Sequence, residues 1–231
     1  MRYAVLILLL FAAVAAECQD VRQVAPQFVK IEYEDARVRV VRLRVPPHAS
    51  LPTHDRPARV VIALTDSAVH MTRANGSVGT VHSVAGTAVW SEPGRRSFTN
   101  LEQPIENIVV EPKAASAPAK PLAHPPSPPP PNYLAERFHH WLFENQYVRV
   151  YDVRIPPGAT SDFHLHALDT VFVDVSGGRE ASQPKGGTWG KAEPIVPGTV
   201  TFRADSQHPR VHRVRNEGNS EYHVIVVQFL P

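Results

Sequence analysis

The sequence contains one cysteine in 231 residues. No internal disulfide can form, and Cys-rich zinc modules are excluded. Excess charge is equally scarce. The 24 basic and 22 acidic residues leave a formal +2, so composition offers no polyanion-binding surface and nucleic acid is not an expected partner. Long apolar runs are missing: the longest, Ala4 to Ala16, is too short to cross a bilayer. Beyond it, no stretch of ten or more residues shows convincing helical periodicity. Proline, by contrast, is in excess, with 23 residues or about twice the usual share. The length suits one large domain or two small ones, and a 43% hydrophobic content belongs to a folded chain.

Met1-Arg2-Tyr3 is a short positive start, and the run after it has the length of a signal-peptide core. Small residues at Ala13, Ala15 and Ala16 offer cleavage positions, so residues 1–16 are read as a signal peptide. The mature protein is expected to be secreted or periplasmic, with no stable membrane insertion. Glu17 stands before Cys18 where lipidation needs a small residue, and Cys18 is assigned no chemistry.

Nine of the prolines fall in 112–131, PKAASAPAKPLAHPPSPPPP, a composition for an extended, semi-rigid spacer. It separates residues 17–111 from 132–231, each long enough for a small domain. The two segments also resemble each other. Phe28 to His54 aligns without a gap on Phe138 to His164, with ten of 27 positions identical, Pro46-Pro47 and Pro156-Pro157 among them. Asn100 then pairs with Asn216 at a larger offset, so the second copy has gained residues, expected between Gly177 and Gly190. This reads as an internal duplication. In each copy, short alternating segments such as Val38–Val45 and Val148–Ile155 are read as half-buried strands, separated by Pro-Pro, Pro-Gly and Gly-Gly turns. Many short strands with no helices indicate an all-β protein of two jelly-roll barrels.

The chemistry is concentrated in the second copy. His164 and His166 lie two apart on one strand and so share a face, a natural pair of metal ligands. His212, with Asn216 four residues on, supplies a third histidine. Gly158, five residues, His164-Leu165-His166, a closing Gly177 and the later His-x3-Asn together resemble the two motifs of the cupin superfamily. With both halves showing the pattern, the chain is similar to a two-domain cupin with a degenerate first copy. The resemblance implies tandem double-stranded β-helix barrels and a divalent metal on His164, His166 and His212. It implies Fe(II) first, with Mn, Ni or Zn as alternatives, and a small organic substrate, as in cupins that use three histidines, the thiol dioxygenases among them.

Departures from the pattern matter. Thr170 stands at the position of the family's glutamate, and its neighbour Asp169 falls on the opposite strand face, leaving it a minor candidate. Gly198 precedes His212 by 14 residues where the family pattern expects 11. No general base accompanies the histidines. His208 is read as a rim residue, His223 as a hydrogen-bonded structural histidine, and His139 and His140 as structural. In the first copy, His54 survives, but Arg56 and Arg96 replace the other two ligands, and two guanidiniums repel a cation. Both arginines are expected to reach solvent or a carboxylate; converging inside the barrel, they would suit an anion. The functional alternatives are a metal-dependent oxidoreductase, and a non-catalytic ligand-binding or structural protein. A monomer or homodimer is expected.

Overall fold

Short β-branched segments broken by prolines and positive-φ glycines can bury themselves only by pairing with one another. The computed structural model describes residues 19–231 except 116, 128, 135 and 136, and the expected signal peptide lies outside the described residues. One short helix, α1 (Val21–Val24), is capped by Asp20 and precedes the strands. The first half then forms β1 (Val29–Glu34), β2 (Val38–Val45), β3 (Ser50–Arg56), β4 (Arg59–Ala63), β5 (Ser67–Arg73), β6 (Val78–Ser83), β7 (Ala88–Ser91), β8 (Gly94–Asn100) and β9 (Ile105–Pro112). The second forms β10 (His139–Glu144), β11 (Val148–Ile155), β12 (His164–His166), β13 (Thr170–Asp174), β14 (Gly178–Pro184), β15 (Glu193–Ile195), β16 (Val200–Arg203), β17 (Arg210–Asn216) and β18 (Tyr222–Phe229).

Each half is a two-sheet jelly roll. The orders β1-β2-β9-β4-β7 and β3-β8-β5-β6 in the first are matched strand for strand by β10-β11-β18-β13-β16 and β12-β17-β14-β15 in the second. All pairings are antiparallel, as the hairpin-rich sequence requires. Asn100 and Asn216 do the same work in each: the amide of Asn100 donates to the carbonyls of Val45, Pro46 and Gln103, and that of Asn216 to those of Ile155 and Ser220.

The half-buried reading of β2 and β11 needs correction. Val38, Val40, Val60, Ile62, Ile108 and Val110 of the first barrel pack against Val148, Val150, Val171, Val173, Ile225 and Val227 of the second, all fully buried in one cluster. The outer faces of the two five-stranded sheets are thus a shared core, and both faces of these strands are covered. The charged positions between the valines are therefore buried, and they are paired: Arg39 with Glu111 and Asp20, Arg149 with Glu144. Tyr33 stacks on Phe202 at 4.3 Å between centroids, and Arg37 pairs with Asp169 across the same interface.

Two corresponding pairs flank this core with the basic and acidic positions exchanged. Arg42 pairs with Glu106 in the first barrel; at the matching rungs of the second, His223 Nε2 lies 2.7 Å from Asp152 Oδ1. Arg42 and His223 each touch a glycine turn of the other barrel. Arg42 donates to the carbonyl of Gly198, and a Cβ on Gly86 would sit 2.6 Å from the His223 ring. Both glycines have φ near +80°, so a side chain there meets strain as well as crowding.

The proline segment contains no helix and no named strand among its described residues beyond Pro112. It is pinned along the β10–β11 turn. Tyr147 Oη donates to the carbonyl of Ala117, the amide of Lys120 donates to Gln146, and Leu122 bridges to Glu144. The expected insertion between Gly177 and Gly190 is also misplaced. Two residues join β7 to β8, but six, 204–209, join β16 to β17. That longer loop accounts for the stretched Gly198–His212 spacing.

Candidate metal centre

β12 and β17 run antiparallel with His164 directly opposite His212 and His166 opposite Arg210. Side chains two apart share a face, so four polar groups converge on the inner wall. The ligand nitrogens of His164, His166 and His212 lie within 4.8 Å of one another. Nitrogens held about 2.1 Å from one ion lie within roughly 4.2 Å of each other, so small side-chain rotations close the set.

Hydrogen bonds orient two of the rings. His164 Nδ1 donates to the carbonyl of Asp162 at 2.9 Å, which leaves Nε2 as a lone-pair donor toward the centre. His212 Nδ1 sits 2.8 Å from Ser182 Oγ. His166 Nδ1 lies 4.0 Å from Asp205 Oδ2, and both atoms are buried without a hydrogen bond. Burial, followed by the charge of Arg210, drives the pKa of His166 far below the usual histidine range and that of His212 down to about 2. Both rings are neutral at ordinary pH, the form that binds metal. One contact opposes an ion. Arg210 Nη1 lies 3.0 Å from His212 Nε2 while its Nε donates to Asp205 Oδ1, so a metal at that nitrogen displaces a guanidinium.

The histidines open onto a cavity of about 380 Å³, floored by Val153, Val214, Val224 and Phe172. At its far end, Asp174 and Glu180 face each other, and Tyr222 Oη lies 3.3 Å from Asp174 Oδ1. Glu180 is opposite Asn216, four residues along β17 from His212, or about 13 Å at strand rise. Burial and the neighbouring Glu180 push the Asp174 carboxyl up to about 7. Burial likewise raises Glu180.

Several residues stand elsewhere than expected. Asp169 is not among the ligands: its carboxylate is buried against Arg37 and accepts from Ser206 N and Oγ. His208 is exposed, and His223 is the structural histidine, paired with Asp152. His139, read as structural, lines the cavity with its ring 4.5 Å from that of His164, while His140 is exposed. Its partner across β10–β11 is Val153, an inward residue, and that pairing is the signal that selects between the two. Alternation would also have found Arg210, two before His212, and Asp174, two beyond Phe172. Asp205, on the long loop, had no such signal. In the first barrel Arg56 and Arg96 stand elsewhere than expected: both are half-buried and line the interior cavity, and neither is paired with a carboxylate among the described residues.

No family model and no curated protein matches the sequence. Solved structures do match. AerE from Microcystis aeruginosa superposes with a TM-score of 0.59 over 88% of this chain and 97% of its own, at 11% identity. A Cupin 2 conserved barrel domain protein from Leptotrichia buccalis gives 0.54 over 87% and 88%, at 10% identity. Oxalate decarboxylase from Bacillus subtilis, with Mn(II) centres, gives 0.55 over 84% and 69%, at 14% identity. This is a two-barrel cupin fold. At such identities the likeness concerns the fold, and the chemistry of this chain rests on its own residues.

Proposed function

We propose that the C-terminal barrel holds a divalent metal on His164, His166 and His212 and acts on a small organic molecule. The observation that carries this is the convergence of three imidazoles on one pocket wall, His164 and His166 buried and His212 half-buried, two of them oriented through their Nδ1 atoms. The ion, Fe(II) first and Mn, Ni or Zn otherwise, would act there as a Lewis acid with coordination positions left open. Asp205 stands behind His166 as an outer carboxylate and anchors Arg210, whose guanidinium then faces the pocket as an anchor for substrate charge. Asp174, poised near neutrality beside Glu180 and Tyr222, gives or takes a proton at the far end of the substrate. This carboxyl pair supplies the general base that the motif positions lack.

Oxidation by dioxygen is the favoured reaction, by the likeness of the ligand set to three-histidine cupins. The experiment is oxygen uptake by the metal-loaded full chain against a panel of thiols, phenolics and keto acids. The proposal expects uptake with at least one of them, abolished in His166→Ala. Tight metal binding with no consumption of any panel member opposes catalysis and favours a holding role. A second reading, a metal-free barrel that binds an organic anion, draws on the contact of Arg210 with His212. We further propose that residues 1–16 direct export, that domains 17–111 and 132–231 arose by duplication, and that the paired barrels function as a monomer or homodimer.

A further inference from the structure

The N-terminal barrel keeps a cavity of about 240 Å³ at the place where its partner carries the histidines. Leu43, Val69, Met71, Trp90 and Phe98 give it a largely apolar wall, to which Ser67 and Asn107 add polar groups. Its charges do not cancel. Asp20 and Glu111 are taken up by Arg39 and Arg59: Arg39 pairs with both, and Arg59 Nη2 lies 3.1 Å from Glu111 Oε1. That leaves Arg56 and Arg96. Arg96 finds only neutral acceptors, the carbonyl of Glu92 at 3.2 Å and the sulfur of Met71 at 3.9 Å. Arg56 faces the cavity and makes no hydrogen bond or ion pair with any described residue. Burial, then the repulsion of Arg59 and Arg96, pulls its guanidinium down to about 9. A half-buried cation without a counter-charge is stabilised when an anion is supplied.

We propose that the N-terminal barrel is a binding site for a small organic carboxylate, held by the forked guanidiniums of Arg56 and Arg96 with its hydrocarbon body against Trp90, Phe98 and Met71. Two planar forks match a carboxylate edge. The cavity volume limits the ligand to about the size of benzoate. His54 keeps the orientation of its counterpart His164, with Nδ1 donating to the carbonyl of Pro52 at 2.8 Å, but two cations beside it exclude a metal ion. The first barrel has exchanged cation chemistry for anion chemistry. This assignment is independent of any metal in the second barrel.

The test is calorimetric titration of the full-length mature chain with benzoate, its neutral analogue benzamide, and inorganic phosphate. Titrations are repeated in a His164→Ala background, which removes the second barrel's centre. One benzoate should bind per chain in both backgrounds, and benzamide and phosphate should bind at least about tenfold more weakly. Arg56→Met should abolish benzoate binding and, in the absence of ligand, leave the melting temperature unchanged or raised, because it removes a half-buried charge that has no partner among the described residues. Arg96→Gln provides a second, milder loss. Equal binding of benzoate and benzamide, undiminished affinity in both arginine variants, or no benzoate binding at millimolar concentration would each overturn the assignment.

Discussion

At the scale of single residues, function follows from what each side chain's second polar atom is doing. His164 and His212 are useful as ligands because Asp162 and Ser182 occupy their Nδ1 atoms. Ser182→Ala should therefore lower metal affinity about 10–100-fold with the fold intact, as measured by competition with a chromophoric chelator. Asp174 offers a test by pH. Its folded-state pKa, about 7, lies above the unfolded value near 4, so the folded state holds the extra proton between them. Stability contributed by this protonated carboxyl is lost as pH rises from about 4 to 7. Asp174→Asn cannot lose it. Its stability relative to the parent should grow across that window and level off above pH 7 in urea unfolding; a pH-independent difference would contradict the assignment. His164 and His166 were legible from spacing, since period two on a strand fixes their face, and His212 from the resemblance of its His-x3-Asn to a family motif. Asp174 and Arg210 obey the same period but belong to no motif, so nothing singled them out.

Among elements, the loop 204–209 separates this barrel from its N-terminal neighbour. It brings Asp205 to His166 and Arg210, and Ser206 to Asp169. Replacing 204–209 by the two-residue connection of the first barrel should leave strand content by circular dichroism unchanged and weaken metal binding at least tenfold, with Arg210 losing its carboxylate. The strands β2 and β11 were legible to the residue because alternation and Pro-Pro boundaries agree. The position of the extra residues was not legible. Gly-rich text between Gly177 and Gly190 reads as inserted loop, whereas β14 and its hairpin occupy most of it, and an offset between two alignments does not say where along the interval it accrues.

The whole molecule is built around the core between its barrels. The sequence implied a spacer holding two domains apart, yet six valines and isoleucines from each half close into one cluster, and the proline segment lies along the second barrel. Alternation cannot reveal this, because a second apolar face on β2 and β11 looks like a solvent-facing one until the partner sheet is present. The barrels should unfold as a unit. Ile225→Ala should cost about 2–5 kcal/mol and move the unfolding of Trp90 and Trp141, one in each barrel, together. Separate transitions for the two would disprove the shared core.

The central claim remains a metal on three histidines of one barrel. It is tested most directly by elemental analysis of the purified chain after reconstitution, with X-ray absorption at the edge of the bound element. The account predicts one divalent ion per chain with a three-imidazole shell, reduced to background in His164→Ala and in His212→Ala while His54→Ala retains it. Substoichiometric metal in the parent, or full metal in the two second-barrel variants, would contradict it.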